Sequence, residues 1–184
     1  MEASRDRGPF RMKRLVVFIA QGFGVGRSPV APGTIGSVLG LAWFAFLISP
    51  ANSLLFALGL ILSFGLSVLV TGRAEQELGQ KDPGSIVLDE IVAVPACFAI
   101  WIIVAWRQSG HWPDAGFFFR SEKWLTVLGV LAAFRAFDVL KPWPVRQAQN
   151  LPGGYGVTAD DVLAAVYVNL CVLGVYFIQP NWLL

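Results

Sequence analysis

Charged side chains are scarce in this chain of 184 residues. Only 14% of the residues are charged, 55% are hydrophobic, and the mean hydropathy is +0.62. Soluble domains carry about 25% charged residues, so this composition excludes an ordinary soluble domain. Residues 28–72 and residues 162–184 contain no charged side chain at all. Each tract exceeds the roughly 20 apolar residues that cross a bilayer as a helix, which predicts an all-α integral membrane protein.

Cysteine and histidine are almost absent. Cys97 and Cys171 both lie in apolar tracts and His111 is the single histidine, so neither a disulfide framework nor a zinc site is expected. The chain also lacks the Gly-x-Ser-x-Gly motif of serine hydrolases and the Walker A motif of nucleotide hydrolases. Its net charge of +2 is too small to indicate a nucleic-acid partner.

Long apolar segments are what the chain has in abundance. Five of them are predicted to be membrane segments: residues 35–48, 53–71, 86–106, 124–140 and 162–178. The first is short, which is typical of a tilted or re-entrant segment. We therefore expect a compact bundle of about five membrane segments forming one membrane-embedded domain, residues 1–184. Residues 1–14 are predicted to be a basic cytoplasmic tail, and the apolar run that follows is too short for a signal peptide.

Positive charge is unevenly distributed between the two sides of these segments. If the first two segments form a hairpin, only Arg107, Arg120 and Lys123 fall on one side. The remaining 11 of the 14 Lys and Arg residues fall on the other side: Arg5, Arg7, Arg11, Lys13, Arg14, Arg27, Arg73, Lys81, Arg135, Lys141 and Arg146. Basic residues are enriched on the cytoplasmic side of membrane proteins. The richer side, which also carries every unusual polar motif, is therefore predicted to be cytoplasmic.

The first of these motifs is the Gly-rich run of residues 22–37, GFGVGRSPVAPGTIGS. Backbone N–H groups at the start of a helix bind phosphate, and Arg27 could offer a planar guanidinium to the same anion. Ser28, Thr34 and Ser37 are the candidate hydroxyl donors of the run. An ordinary membrane-interface loop with Thr34 as the helix N-cap explains the pattern equally well.

The second motif is KDPGSIVLDEIV, residues 81–92, in which apolar residues flank Asp89 and Glu90. A carboxylate at membrane depth costs on the order of 2.5–3.5 kcal/mol unless it is paired or metal-bound. Adjacent helical side chains point roughly 100° apart. We therefore expect one acid to bind a metal while its neighbour contacts an arginine or a second helix. A buried salt bridge to Arg135 is the alternative, and Asp82 is interpreted as a turn or cap residue.

Two further motifs add charges at helix ends. In residues 134–144, FRAFDVLKPWP, Arg135, Asp138 and Lys141 share one helix face. An acid between two cations suits a site that holds a metal and a phosphate, although snorkelling explains Lys141 alone. In residues 151–161, LPGGYGVTADD, Asp160 and Asp161 begin the last apolar segment, where favourable interaction with the helix dipole is the alternative explanation. Acids from three helix ends are together typical of an oxygen-ligand Mg²⁺ site.

These four strings, in this order, resemble the bacterial phosphatidylglycerophosphatase A family, and they cover nearly all of the chain from Gly22 to the last segment. The resemblance implies Mg²⁺-dependent removal of the terminal phosphate of phosphatidylglycerophosphate, giving phosphatidylglycerol in the bacterial inner membrane. Three positions depart from the family pattern. Ala93 and Ala165 stand where glycine is common, and Gln149 stands near the position where many members carry an acid.

The residues and the resemblance together predict a site at the cytoplasmic interface that the lipid headgroup enters laterally from the inner leaflet. Five acids are predicted to supply the metal ligands and the general base: Asp89, Glu90, Asp138, Asp160 and Asp161. The metal ligands among them are predicted to be Asp89, Glu90, Asp138 and Asp161. Six residues are predicted to bind the substrate phosphate: Arg27, Ser28, Thr34, Ser37, Arg135 and Lys141.

Two other functions remain open at this point. A small transporter or channel subunit also carries charges within the membrane. A catalytically inactive protein that binds lipid phosphates is favoured by the glutamine at position 149. The sequence leaves the oligomeric state open, and it does not distinguish attack by water from an aspartyl-phosphate intermediate.

Overall fold

The structure, a computed structural model, describes residues 8–183 of the chain. Within them it is entirely helical, and the all-α prediction is confirmed there. Nine α-helices follow one another: α1 (Gly8–Ala20), α2 (Pro32–Ile48), α3 (Ser53–Leu78), α4 (Leu88–Ala93), α5 (Ala99–Ser109), α6 (Ala115–Phe118), α7 (Trp124–Leu140), α8 (Val145–Ala148) and α9 (Gly154–Ile178). Short 3₁₀ turns occupy Gly22–Arg27, Val94–Phe98, Ser121–Lys123 and Pro180–Trp182.

Local sequence explains where several of these helices begin and end. The side chain of Asn52 caps α3 by accepting a hydrogen bond of 3.0 Å from the backbone N–H of Leu55. Gly79, with φ of 64°, ends the same helix in the left-handed conformation that glycine adopts without a steric cost. Pro32 begins α2, where the missing N–H of proline removes no helical hydrogen bond.

Among the described residues, three helical segments are long and apolar enough to cross a membrane, judged by length and composition: Ser53–Leu78, Leu88–Ser109 and Gly154–Ile178. The middle one, which joins α4 and α5, is the central segment of the fold. In this segment 72% of the most apolar stretch is buried inside the molecule. The corresponding shares for Ser53–Leu78 and Gly154–Ile178 are 22% and 28%. Helices α2 and α7 are apolar as well but have 17 residues each.

The central segment was expected to be one continuous span over residues 86–106. In the structure it begins at Leu88 and is interrupted by the 3₁₀ turn Val94–Phe98. Pro95 lies in this turn and explains it, because proline lacks the N–H that would donate within an α-helix and its ring clashes with the preceding turn. The late start places Asp89 and Glu90 in the first turn of α4.

Helix α1 was not expected. Residues 1–7 of the predicted N-terminal tail lie outside the described residues, and from Gly8 onward the chain is helical. Val16 and Val17 pack against a small buried cluster formed by Ala20, Ala74, Ile86 and Val157. Lys13 also forms an ion pair of 3.0 Å with Glu77 of α3. Since short helices owe most of their stability to tertiary packing, these contacts explain why the local sequence did not reveal α1.

Helices α3 and α9 cross at very short distance. A Cβ atom added to Gly154 would lie 2.0 Å from the carbonyl oxygen of Val68 and 2.7 Å from the amide nitrogen of Gly72. Nearby, the buried hydroxyl groups of Ser67 and Thr158 share a hydrogen bond of 2.9 Å. This crossing fixes the first turns of α9, which carry Asp160 and Asp161, against α3.

Aromatic rings fill the core at the opposite end of the molecule. Phe44 stacks on Phe98 with 4.1 Å between ring centroids, and Trp101 and Phe118 pack edge-to-face 5.1 Å apart. All four side chains are fully buried. By contrast, α3 exposes a row of large aliphatic side chains that includes Leu62, as expected of a surface that faces lipid rather than water.

Candidate active site

Three acids predicted as metal ligands converge where α4 and α9 begin. Asp89 and Glu90 lie in the first turn of α4, and Asp161 lies in the second turn of α9. Each offers a carboxylate oxygen, and these oxygens lie within 4.8 Å of one another. The three residues, called the acidic cluster below, are 7%, 9% and 2% exposed. Burying three acids side by side opposes folding unless a cation offsets their charge.

The acidic cluster contains oxygens whose bonding capacity is not used by the protein. Asp89 Oδ1, Glu90 Oε2 and Asp161 Oδ2 are buried and have no hydrogen-bond partner among the described residues. Buried polar groups are nearly always satisfied, so unpaired oxygens call for a ligand. Carboxylate ligands of Mg²⁺ or Ca²⁺ bind at about 2.0–2.6 Å, which puts two ligands of one ion at most about 4–5 Å apart. The cluster therefore fits a divalent cation.

Both Asp89 and Glu90 contribute an oxygen to the cluster, whereas one of the two was expected to point elsewhere. Their side chains leave the helix in different directions, but the longer Glu90 side chain reaches back toward Asp89 and Asp161. Glu90 also accepts a hydrogen bond of 3.4 Å on Oε1 from Arg135, while its Oε2 has no partner among the described residues. The salt bridge of Glu90 therefore leaves one oxygen of the same carboxylate for a metal ion.

Arg135 on α7 joins the acidic cluster to a fourth acid. Its Nη1 atom lies 3.4 Å from Glu90 Oε1 and 2.6 Å from Asp138 Oδ2. Its Nε atom is buried without a hydrogen-bond partner among the described residues. Asp138 is paired with Arg135 and is not among the three acids whose oxygens converge. The Nε–H group of Arg135 is therefore available to a ligand oxygen beside the cluster.

The start of α2 packs directly on the side chains of Glu90 and Arg135. A Cβ atom added to Gly33 would lie 2.2 Å from Glu90 Oε1 and 2.9 Å from Arg135 Nη2. A Cβ at Gly36 would lie 2.9 Å from the side chain of Val87. Glycine is needed at these positions because the helix approaches more closely than any side chain allows.

Lys141 holds a second group of charges at the end of α7. Its Nζ atom donates a hydrogen bond of 2.6 Å to Asp160 Oδ2 and lies 3.9 Å from Asp82 Oδ2. Burial lowers the pKa of Lys141, but the hydrogen bond and charge of Asp160, with the charges of Asp82 and Asp138, outweigh that effect and raise its pKa. Asp160, although adjacent to Asp161, is therefore engaged by a cation instead of joining the acidic cluster.

Asp82 connects this group to two residues whose roles the sequence did not indicate. Gln149 donates a hydrogen bond of 2.8 Å from its side-chain amide to Asp82 Oδ2. The backbone N–H of Asp82, where φ is 46°, donates to Glu75 Oε1 at 2.7 Å. Glu75 is buried on α3. The sequence signal that points to it is its position, because it is an acid close to a long apolar tract. Gln149 thus occupies a specific place beside an acid rather than a free surface position.

The predicted phosphate donors of the Gly-rich run make other contacts. Arg27 donates from Nε to Gln21 Oε1 at 2.8 Å and lines a cavity of about 700 Å³ together with Lys13 and Glu77. Ser28 donates to the carbonyl oxygen of Val30 at 2.9 Å. No acid of the acidic cluster lines that cavity. The contacts of the described residues therefore do not join Arg27 or Ser28 to the cluster.

Thr34 and Ser37 lie within α2. Thr34 is exposed in the first turn, and the N-cap position belongs to Ala31, with φ of 43° and no side-chain cap, so the alternative of a Thr34 cap is wrong. Ser37 is buried and donates to the carbonyl oxygen of Gly33 at 2.9 Å. Its hydroxyl is therefore used within its own helix.

The glycines of this run have a packing role that the sequence did not reveal. A Cβ atom at Gly26 would lie 1.9 Å from the carbonyl oxygen of Ser85. Gly22, with φ of 54°, approaches Val87 and Ile91 to within 2.9 Å of where its Cβ would be. The run packs tightly against residues 85–91 and so positions the segment that carries Asp89 and Glu90.

Comparisons with known proteins place the chain beside named relatives. The model of the family described as "Phosphatidylglycerophosphatase A" matches residues 18–176. Proteins named "Phosphatidylglycerophosphatase A" from Haemophilus influenzae and Escherichia coli are 34% and 32% identical over 160 and 166 residues. These matches cover 86% and 89% of the chain and 87% and 83% of the two relatives.

A Bacteroides thetaiotaomicron protein carries a different name. It is called "Putative phosphatidylinositol-3-phosphatase" and is 36% identical over 163 residues, which is 85% of the chain and 92% of that relative. No solved structure matches the chain significantly. The matched region includes every residue of the acidic cluster together with Arg135 and Lys141.

Proposed function

Since the chain belongs to the phosphatidylglycerophosphatase A family, a family of phosphatases, we propose that it hydrolyses phosphatidylglycerophosphate to phosphatidylglycerol and phosphate with Mg²⁺ as cofactor. The observation that carries this proposal is the acidic cluster, with three unpaired buried carboxylate oxygens beside the unpaired Nε–H of Arg135. A cation site next to a guanidinium is what a phosphate monoester dianion requires.

In this proposal, Asp89, Glu90 and Asp161 hold the Mg²⁺ ion. The ion, when bound, would neutralise phosphate charge and polarise the phosphorus for attack. Asp138, which was also predicted as a ligand, has a better supported role in fixing Arg135 through their contact of 2.6 Å. The proposed metal ligands are therefore only the three acids whose oxygens converge.

Arg135 and Lys141 are the proposed phosphate-binding residues. Arg135 has an N–H group without a partner, and the ammonium of Lys141 has three N–H donors, of which Asp160 takes one. Asp138 is paired with Arg135, and Asp160 is paired with Lys141. These two of the five predicted acids lie outside the acidic cluster and are the proposed candidates for the general base. Arg27, Ser28, Thr34 and Ser37 stay predictions, and the intrahelical bond of Ser37 makes it the weakest of the four.

We further propose that the chain is one membrane-embedded domain of about five segments in the bacterial inner membrane. The five would be α2, α3, the central segment, α7 and α9. The acidic cluster would face the cytoplasm, where phosphatidylglycerophosphate enters from the inner leaflet. The excess of Lys and Arg on that side supports this orientation. The clustering of the acids at one end of the helices favours an enzyme over a transporter, whose polar groups would follow the full bilayer depth.

The test is phosphate release by the purified protein in detergent. Phosphatidylglycerophosphate should be hydrolysed with Mg²⁺, and EDTA or the Asp89→Asn variant should abolish the release. Asp114→Asn is a matched control, because Asp114 caps α6 by accepting from the N–H of Phe117 at 2.9 Å and asparagine caps equally well.

The same assay distinguishes the alternatives. Phosphatidylinositol 3-phosphate should be included because one relative is named for it, and preferential release from it would change the proposed substrate. Binding of either lipid by folded protein without release, whichever metal is added, would replace the enzyme with a lipid-phosphate-binding protein. Absence of both binding and release would overturn the proposal.

A further inference from the structure

Lys141 stands at a backbone position where glycine is usual. It follows the last residue of α7 and has φ of 46° and ψ of 61°, which is the left-handed conformation. Many helices end in this conformation, and the residue there is usually glycine because a Cβ atom makes it less favourable. The protein therefore keeps a lysine at this position against a local steric cost. A residue in such a conformation persists where the surrounding structure holds it in place.

Helix α9 holds the side chain of Lys141. The Nζ atom of Lys141 donates a hydrogen bond of 2.6 Å to Asp160 Oδ2. Tyr167 follows Asp160 by seven residues on the same helix. Residues with this spacing share one helix face, and at 1.5 Å per residue they lie about 10 Å apart along the axis. The face of α9 that binds the ammonium group therefore also carries Tyr167.

Tyr167 contacts the chain on both sides of Lys141. Its ring stacks on Phe137, with 5.1 Å between the ring centroids and 28° between the ring planes. The carbonyl oxygen of Phe137 accepts a hydrogen bond of 2.9 Å from the backbone N–H of Lys141. The hydroxyl of Tyr167 donates to the carbonyl oxygen of Trp143 at 2.5 Å. One side chain thus contacts residues four positions before and two positions after Lys141.

The turn after α7 has few other means of holding its shape. Pro142 and Pro144 lack the backbone N–H groups that could donate hydrogen bonds. The side chain of Trp143 is 75% exposed, so it does not anchor the turn in the core. The hydroxyl of Tyr167 therefore ties this turn, which begins with Lys141, to α9.

We propose that Tyr167 is a positioning residue for Lys141 and thereby for the binding of the substrate phosphate. Asp160 directs the ammonium group, and Tyr167 holds the backbone turn from which the lysine side chain extends. Tyr167 acts through Lys141 and has no contact of its own with the substrate. The proposal rests on the proposed function, because it takes Lys141 as a phosphate-binding residue.

Two tyrosines of α9 provide a matched pair of variants. Tyr167→Phe removes the hydroxyl that donates to Trp143 and keeps the ring that stacks on Phe137. Tyr176→Phe makes the same change where the ring packs against the hydrophobic core and the hydroxyl has no hydrogen bond with the described residues. Both variants keep their rings, so both should fold. Values of KM and kcat for phosphatidylglycerophosphate would be measured for each variant alone and combined with Lys141→Met.

Tyr167→Phe should raise KM by about 2- to 10-fold, the equivalent of one hydrogen bond. The kcat should stay within about twofold, because a phosphate contact made equally in the ground state and the transition state affects KM alone. In the Lys141→Met background, Tyr167→Phe should leave KM unchanged, because its effect passes through the lysine. Tyr176→Phe should behave as the unmodified protein does.

A second measurement does not depend on turnover. Brief acylation of lysine amines with acetic anhydride, followed by mass spectrometry of the peptides, would compare Lys141 with the exposed Lys81 as internal reference. Tyr167→Phe should raise the relative labelling rate of Lys141 by at least about twofold, because loss of one hydrogen bond loosens the turn. Tyr176→Phe should leave this rate unchanged.

Three results would overturn the proposal. An equal rise of KM with and without the lysine would show that the hydroxyl of Tyr167 does not act through Lys141. A fall of kcat at unchanged KM would indicate a general structural role. Equal labelling of Lys141 in Tyr167→Phe and Tyr176→Phe would exclude the restraint itself. Absence of any phosphate release by the unmodified protein would instead overturn the proposed function, and the labelling rates would still decide whether Tyr167 restrains Lys141.

Discussion

Helices α7 and α9 run antiparallel and share two very different ends. At the end where α7 finishes and α9 begins, Arg135 and Lys141 face Asp138, Asp160 and the acidic cluster. At the other end, aromatic rings pack around the buried side chain of Lys123, whose Nζ atom lies 4.0 Å from the centroid of the Phe117 ring. We call these the polar end and the aromatic end.

The contrast separates residues that stabilise the fold from residues that the fold accommodates. The rings of the aromatic end are packed in contact with one another, which is a direct source of stability. The polar end contains buried carboxylate oxygens with no partner among the described residues, which costs stability. Groups that oppose folding and are nevertheless present are typical of a functional site. Substitutions should therefore affect activity at one end and stability at the other.

The largest expected effect is that of Asp161→Asn at the polar end. The variant keeps the shape of the side chain and removes one charge from the acidic cluster, so phosphate release should fall by about 1,000-fold, the equivalent of several kcal/mol of lost metal catalysis. The thermal unfolding temperature should stay the same or rise, because one buried charge is gone. Initial rates and thermal unfolding in detergent measure both. A rate within about tenfold of the unmodified protein would remove Asp161 from the metal site.

Phe98→Ala, at the aromatic end, should lower stability and leave activity nearly unchanged. Phe98 is fully buried and stacks on Phe44, and loss of such a ring lowers the free energy of unfolding by about 3–5 kcal/mol. Activity per folded molecule should change little. Chemical unfolding monitored beside the phosphatase assay would measure this. A variant with unchanged stability and reduced activity would contradict the division between the two ends.

Arg135→Lys should lower activity by about 10- to 100-fold, the range seen when a supporting group of a metal site is lost. Lysine keeps the charge but lacks the planar guanidinium that contacts Glu90 and Asp138 together and leaves Nε–H for the phosphate. Values of kcat and KM at saturating Mg²⁺ would show which step suffers. If Arg135→Gln and Arg135→Lys were both as active as the unmodified protein, charge and geometry at this position would both be irrelevant to the reaction.

The smallest effect is expected of Gln149→Glu. The substitution replaces a hydrogen bond to Asp82 with a contact between two acids, but Asp82 is exposed and Lys141 lies 3.9 Å from it. Exposed charge pairs contribute about 0–1 kcal/mol, so activity should change by less than about fivefold. Titration of activity with Mg²⁺ checks the result. A gain above about tenfold would mean that the site works better with an acid at position 149.

The sequence predicted the helices with the strongest signals and missed those that depend on distant contacts. Residues 28–72 carry no charge, so α2 and α3 were evident. Helix α1 was missed because its apolar face is completed by Ala74 and Ile86 of other segments. The break at Pro95 follows from local chemistry, whereas the apolar run around it predicted one uninterrupted span.

The candidate site was predictable by residue type but not by partner. Acids flanked by apolar residues are costly wherever the chain folds, so Asp89 and Glu90 stood out, and Asp161 was indicated together with Asp160 at the start of the last apolar segment. Which cation serves which acid depends on three-dimensional placement, and the engagement of Asp160 by Lys141 followed from nothing in the local sequence. The same holds for Gly26, whose close neighbour Ser85 lies 59 residues away along the chain.

The buried position of the central segment also has a consequence for biogenesis. Leu88–Ser109 is apolar enough to enter a bilayer by itself, yet most of its apolar stretch is buried inside the folded protein. Arg135 is synthesised 45 residues after Glu90, and Asp161 later still. A chain stalled on the ribosome between these points would carry Glu90 before Arg135, its cation partner, exists. On the proposed membrane topology, we therefore expect the insertion of Glu90 to become less costly once α7 has been synthesised.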